Sequence, residues 1–190
     1  MIVAFSTSSP LVSIAFFDLG GHLRYSESVT SQRNASSAIF KLLEAAATQG
    51  FFLADVDGFV ADGGPGSFTG VKVGVTVAKS LGYAFQKMVA IVQSFDLVSA
   101  NSAVAIPNKR GEWFLREPSQ LARLVDGQVI EDAIGYGDGY SAPQYPNAGN
   151  AAQLTESLNW MEPELAKPLY LIEPSISTPK RVASMGDPIG

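Results

Sequence analysis

The sequence predicts an α/β protein built on a mixed sheet with flanking helices. Three observations carry this. A three-strand meander opens the chain, a helix, a short strand, a longer helix and another strand then alternate, and a glycine-rich turn joins the first of those strands to the longer helix.

Ile2–Phe5 is a short apolar run and reads as a buried strand. Ser6–Pro10 is a turn of small residues. Leu11–Leu19 and Leu23–Val29 read as strands joined at Gly20-Gly21, a strong hairpin signal. Ala35–Thr48 reads as a helix. Ala35, Ala38, Ile39, Leu42 and Ala46 share one face, and Phe40, Leu43 and Ala47 form a second apolar stripe. Only Lys41 and Glu44 are charged within it, so this helix is expected to be covered on more than one side. Gly58–Ala61 is a short strand, Ser67–Phe85 a long helix and Met88–Val92 another strand. Beyond Ala100 the signal weakens. Ala103–Pro107 and Glu112–Arg116 read as a hairpin across Asn108–Gly111, Gly135–Gly149 as an ordered loop, and Ala151–Asn159 as a short helix. The expected division is a first lobe over 1–100, a shortened second lobe over 101–174, and a mobile tail over 175–190.

Composition narrows the function. The chain has 190 residues, 46% of them hydrophobic and 16% charged, enough for an ample core. Net charge is -5, and the 13 Lys and Arg form no run. A protein that grips nucleic acid alone needs a basic surface to neutralise phosphates. Any RNA is therefore expected to be held by another subunit. With no cysteine, disulfides, thiolate metal sites and cysteine nucleophiles are excluded, which fits a reducing cytoplasm. No basic segment precedes the apolar start, so neither a signal peptide nor a membrane span is expected.

The most informative stretch is Gly63–Gly74. A P-loop requires lysine directly after its last glycine, but Val71 follows Gly70. A nucleophile elbow requires glycine two places before the serine, but Pro65 stands there before Ser67. Gly64, Gly66 and Gly70 are too loosely spaced for a dinucleotide fingerprint. In the helix that follows, Gly70, Gly74, Ala78 and Gly82 recur every four residues and line one ridge. Glycine inside a helix costs about 1 kcal/mol against alanine, so the ridge must be repaid by close packing. Two readings stand: packing within the chain, or a helix–helix interface with another chain.

Gly64–Gly74, GPGSFTGVKVG, resembles the hallmark sequence of the TsaB (YeaZ) family. Ile2–Ser8, Val92–Ser94, Asn108–Phe114, Ile134–Leu154 and Pro168–Leu171 are similar to further segments of that family. The resemblance implies an actin/Hsp70-like, ribonuclease H-like architecture with a shortened second lobe. It implies a non-catalytic scaffold that binds the catalytic paralogue TsaD for threonylcarbamoylation of tRNA A37. A TsaE-like ATPase is the further partner, and a homodimer forms when the partner is absent. The partner surface it implies comprises Ala35, Ala38, Ile39, Leu42, Leu43, Gly70, Gly74, Ala78 and Gly82. It implies no tightly bound cofactor, with ATP or ADP and Mg at a subunit interface as the candidate ligand.

Two departures stand out. The place of an aspartate common after the family's first strand is taken by Ser6, and the first helix lacks the histidine pair that holds metal in the catalytic paralogue. No catalytic and no metal-binding residue is expected, and the older glycoprotease label of the family has no chemical support here. Ser67 and Thr69 are candidates to cap the long helix and leave its positive end free for an anion. Lys72 can meet a phosphate or a partner carboxylate, or be solvated. Asp138, between two glycines, either faces a nucleotide through a metal or is a solvated turn residue. Asp62 is read as a turn aspartate capping nearby amides, and His22 as a solvated turn residue. The rival reading is an autonomous nucleotide-dependent enzyme, a small kinase or phosphatase of the same fold.

Overall fold

The computed structural model describes residues 1–171 except 32–33, 128–129 and 131; the tail expected over 175–190 lies outside the described residues. The opening meander consists of β1 (Ile2–Ser6), β2 (Leu11–Phe17) and β3 (Leu23–Thr30). Helix α1 (Ala35–Thr48), strand β4 (Gly58–Asp62), helix α2 (Phe68–Phe85) and strand β5 (Met88–Val92) follow. A one-turn helix, α3 (Ser94–Val98), leads to β6 (Val104–Pro107), β7 (Glu112–Arg116), β8 (Arg123–Asp126) and β9 (Ile134–Gly135). A 3-10 run over Ala148–Ser157 and β10 (Trp160–Met161) come next.

The strands form two sheets. The larger has the order β10-β5-β4-β1-β2-β3, with β1, β4 and β5 parallel at its centre. The smaller has the order β8-β7-β6-β9. The centre of the large sheet is buried on both faces, which is why β1 and β4 read as apolar runs without alternation. Val3 and Phe5 pack under α1 and α2, against Ile39, Leu42, Val71 and Val75. Ile2, Ala4 and Val60 face the other way, onto Ala148, Ala151 and Ala152 of the 3-10 run.

The lobe range drawn from sequence does not map onto one body. After the small sheet the chain returns to the large one: the 3-10 run covers its second face, and β10 pairs with β5. The two-residue β9 and β10, like β8, carried no pattern that sequence could read. The expected helix over Ala151–Asn159 is a 3-10 run that starts earlier, at Ala148, because the Asn147 side chain accepts from the Gly149 amide at 2.8 Å. Helix α2 begins as expected, with Ser67 as its N-cap accepting from Gly70 N at 3.3 Å.

The small-residue ridge of α2 faces inward. A Cβ on Gly70 would lie 1.9 Å from the Thr7 carbonyl oxygen, and one on Gly74 2.5 Å from Thr7 Oγ1. At the far end, a Cβ on Gly82 would meet Val89 and Pro163. The ridge lets α2 lie against the turn after β1. Gly70→Ala is therefore expected to destabilise the fold by about 1–3 kcal/mol or more through overpacking, measured by urea denaturation.

Candidate functional site

Parallel strands place functional groups at their carboxyl ends. Here β1, β4 and β5 end in Ser6, Asp62 and Val92, and the turns that follow carry Ser8, Gly64 and Ser94. Asp62 is fully buried. Its Oδ1 accepts from the Gly64 amide at 3.0 Å and from the Ser94 hydroxyl. Its Oδ2 accepts from Ser6 Oγ at 2.7 Å and Ser8 Oγ at 2.5 Å. Two donors on each oxygen fill the lone-pair sites of an ionised carboxylate.

Among the described residues no cation takes part in this cage. Burial pushes the Asp62 carboxyl above the usual range, against the opposing pull of Ser8, Ser94, Ser6 and the Gly64 amide. Burial also raises Tyr136, and the neighbouring Asp62 carboxylate adds to that. The turn-capping role read for Asp62 is present in the Gly64 bond, but the three serines make the aspartate a hub. The hydroxyl-rich run Ser6–Ser9 at a strand end was the signal for this.

The residues expected to bind nucleotide are not brought together. Ser67 is occupied as the α2 N-cap, while Thr69 is exposed beside it. Lys72 Nζ lies 4.1 Å from the centroid of the Phe68 ring, and Phe68 in turn packs on Tyr170. Asp138 lines a separate cavity of about 590 Å³ in the small sheet with Asn108, Glu112 and Trp113, which none of Ser67, Thr69 and Lys72 lines. Among the described residues the four therefore do not line one cavity. Exposed His22 lies 3.1 Å from Asp18 Oδ1, a turn contact. Among the described residues there is no group of three or more His, Asp or Glu able to hold a metal, and no helix long and apolar enough to cross a membrane.

The expected partner surface also needs correction. Ala38, Ile39, Leu42, Leu43, Gly70, Gly74, Ala78 and Gly82 are buried within this chain, and Ala35 is half-buried. They form the inner faces of α1 and α2, because the same spacing that suits an interface also suits packing on Thr7 and the sheet. The outer faces carry other residues. Ser36, Phe40, Lys41 and Glu44 are exposed on α1, and Thr69, Lys72, Thr76, Ser80 and Tyr83 on α2. Phe40 is 53% exposed and Tyr83 74%. Sequence had placed Phe40 on the second apolar stripe, and that stripe was the available signal.

Comparison with known proteins matches residues 26–130 to the family model described as TsaD, tRNA N6-adenosine threonylcarbamoyltransferase. No curated protein matches the sequence. Among solved structures, YeaZ from Pseudomonas aeruginosa superposes with a TM-score of 0.67 at 22% identity, covering 89% of this chain and 99% of that one. A second structure, an uncharacterized protein with similarity to peptidase YEAZ from Pseudomonas aeruginosa, gives 0.66 at 22% identity, covering 90% and 99%. At this identity the likeness shows the fold alone, a YeaZ-like mixed sheet with flanking helices.

The Asp62 cage makes stability depend on pH. A carboxyl whose folded pKa is raised contributes stability below its unfolded value of about 3.9 and loses it as pH climbs through the folded value. From pH 4 upward, wild type is expected to lose stability relative to Asp62→Asn in thermal melts. A gap that moves the other way would mean that the four donors outweigh burial.

Proposed function

This chain belongs to the TsaD, tRNA N6-adenosine threonylcarbamoyltransferase, family of tRNA-modification proteins, and from that membership we propose that it is a non-catalytic partner subunit. It binds the family's catalytic paralogue in the cytoplasm and activates it for threonylcarbamoylation of tRNA A37. The observation that carries this reading is the outer face of the α1–α2 pair. Phe40 stands 53% exposed in mid-helix, among small and polar neighbours that let a second pair of helices approach. A large exposed aromatic at such a place is the type of residue that anchors an interface.

The net charge of -5 supports the division of labour: tRNA is held by the partner, and this chain touches it only indirectly. A TsaE-like ATPase joins the assembly, and a homodimer through the same face forms when the paralogue is absent. ATP or ADP with Mg belongs to the assembled complex. The saturation of Asp62 by its own donors supports this, since it leaves no lone pair for a metal.

Size-exclusion chromatography with light scattering, on this chain mixed with the catalytic paralogue from the same organism, tests the proposal. A heteromeric peak is expected, and Phe40→Asp weakens it by about tenfold or more in affinity without lowering the melting temperature. Unchanged association of Phe40→Asp would move the interface elsewhere. Gly74→Leu is a poor probe, because it strikes Thr7 inside the chain. Calorimetry of the isolated chain with millimolar ATP and Mg is expected to show no binding heat; a saturable signal would favour the autonomous enzyme.

A further inference from the structure

The chain crosses between its two sheets twice: outward through α3 after β5, and back through residues 136–147. Both crossings end at the Asp62 cage. On the way out, Ser94 opens α3. Its hydroxyl donates to Asp62 Oδ1, and its amide donates to the Gly64 carbonyl at 2.8 Å. On the way back, the Pro146 carbonyl lies 3.3 Å from Ser6 Oγ, whose proton is shared with Asp62 Oδ2 at 2.7 Å.

The two crossings are also tied to each other directly. The Asn147 amide donates to Leu97 O at 2.9 Å, and Asn150 Nδ2 donates to the same carbonyl at 2.7 Å. The Ala148 amide donates to Ser13 Oγ on β2 at 2.9 Å. On the side of the small sheet, Phe95 of α3 packs with Val104, Ile106, Phe114 and Tyr136, so α3 moves only if that core moves with it. The two crossings thus converge on the cage, the outward one at the Asp62 carboxylate itself and the return one at Ser6.

We propose that the caged carboxylate of Asp62 is the pin of the hinge between the two sheets, fixing the orientation of the small sheet on the large one. A carboxylate suits the task where an amide does not. It accepts from four donors arriving from β1, the Ser8 turn, the glycine-rich turn and α3, whereas an asparagine offers one acceptor oxygen and turns two donors toward the hydroxyls. Ser6 and Asp62 touch across adjacent parallel strands, so a carboxylate placed at position 6 stays inside the same cage.

Hydrogen exchange on the full chain, read by mass spectrometry, tests this. In Asp62→Asn, amides of 94–99 and 145–150 are expected to exchange about tenfold faster or more, while those pairing β1 with β2 keep their wild-type rates. In Ser6→Asp/Asp62→Ser, which moves the charge to β1, slow exchange returns at both crossings. Ser6→Ala is the milder variant in case Asp62→Asn fails to fold, and it speeds only 145–150. Uniform acceleration that includes the β1–β2 amides would make Asp62 a general stability residue, and unchanged rates at both crossings would leave the hinge without its pin. Either result overturns the proposal.

Discussion

A buried carboxylate with no cation beside it among the described residues constrains everything around it. Removing such a charge from water is costly, and only a full set of donors makes it tolerable. Each hydrogen bond to a charged group returns about 1.5–3 kcal/mol, so all four partners of Asp62 are needed. That requirement explains the composition of the strand ends. Ser6 and Ser8 must be hydroxyls, Ser94 must begin α3, and the glycine-rich turn must bend until Gly64 points its amide inward.

The position of α2 follows from the same constraint. The turn after β1 is fixed by Ser6 and Ser8, and Ser8 accepts the Ser67 amide at 2.7 Å just before the helix starts. Gly66 is held at φ 151 with Ser8 O only 2.3 Å from where a Cβ would sit, so nothing larger fits. Thr7 then lies on the helix and donates to the Gly70 carbonyl at 2.7 Å. Gly70 and Gly74 are small because Thr7 is there. The GPGSFTG stretch is therefore a piece of internal carpentry that sets the angle of α2, and through α2 the face that the α1–α2 pair shows to solvent.

Much of this fold was legible in the sequence, for physical reasons. The meander announced itself through Gly20-Gly21, and the two helices through their apolar periodicity. β10 was not legible, since a two-residue edge strand has no period, and its place depends on the chain returning from the second sheet. The direction of the glycine ridge was not legible either. Four-residue spacing of small residues fixes how closely something approaches but not what approaches. Phe40 is exposed because, of the second stripe, Leu43 turns into the core and Phe40 does not. The Asp62 hub was only partly visible: a turn aspartate and a turn of small residues both stand in the sequence, but their meeting depends on the register of β1 with β4.

In the resulting picture an α/β frame carries a helix pair with one face open to solvent, a net negative charge and a carboxylate already satisfied by its own chain. Such a molecule is suited to hold a partner in shape. The most direct measurement is threonylcarbamoylation of tRNA A37 in a reconstituted mixture of the catalytic paralogue, the ATPase, tRNA and substrates, with and without this chain. The account predicts strong stimulation when the chain is present and no modification when the paralogue is left out. Full activity without this chain, or activity of this chain without the paralogue, would contradict it.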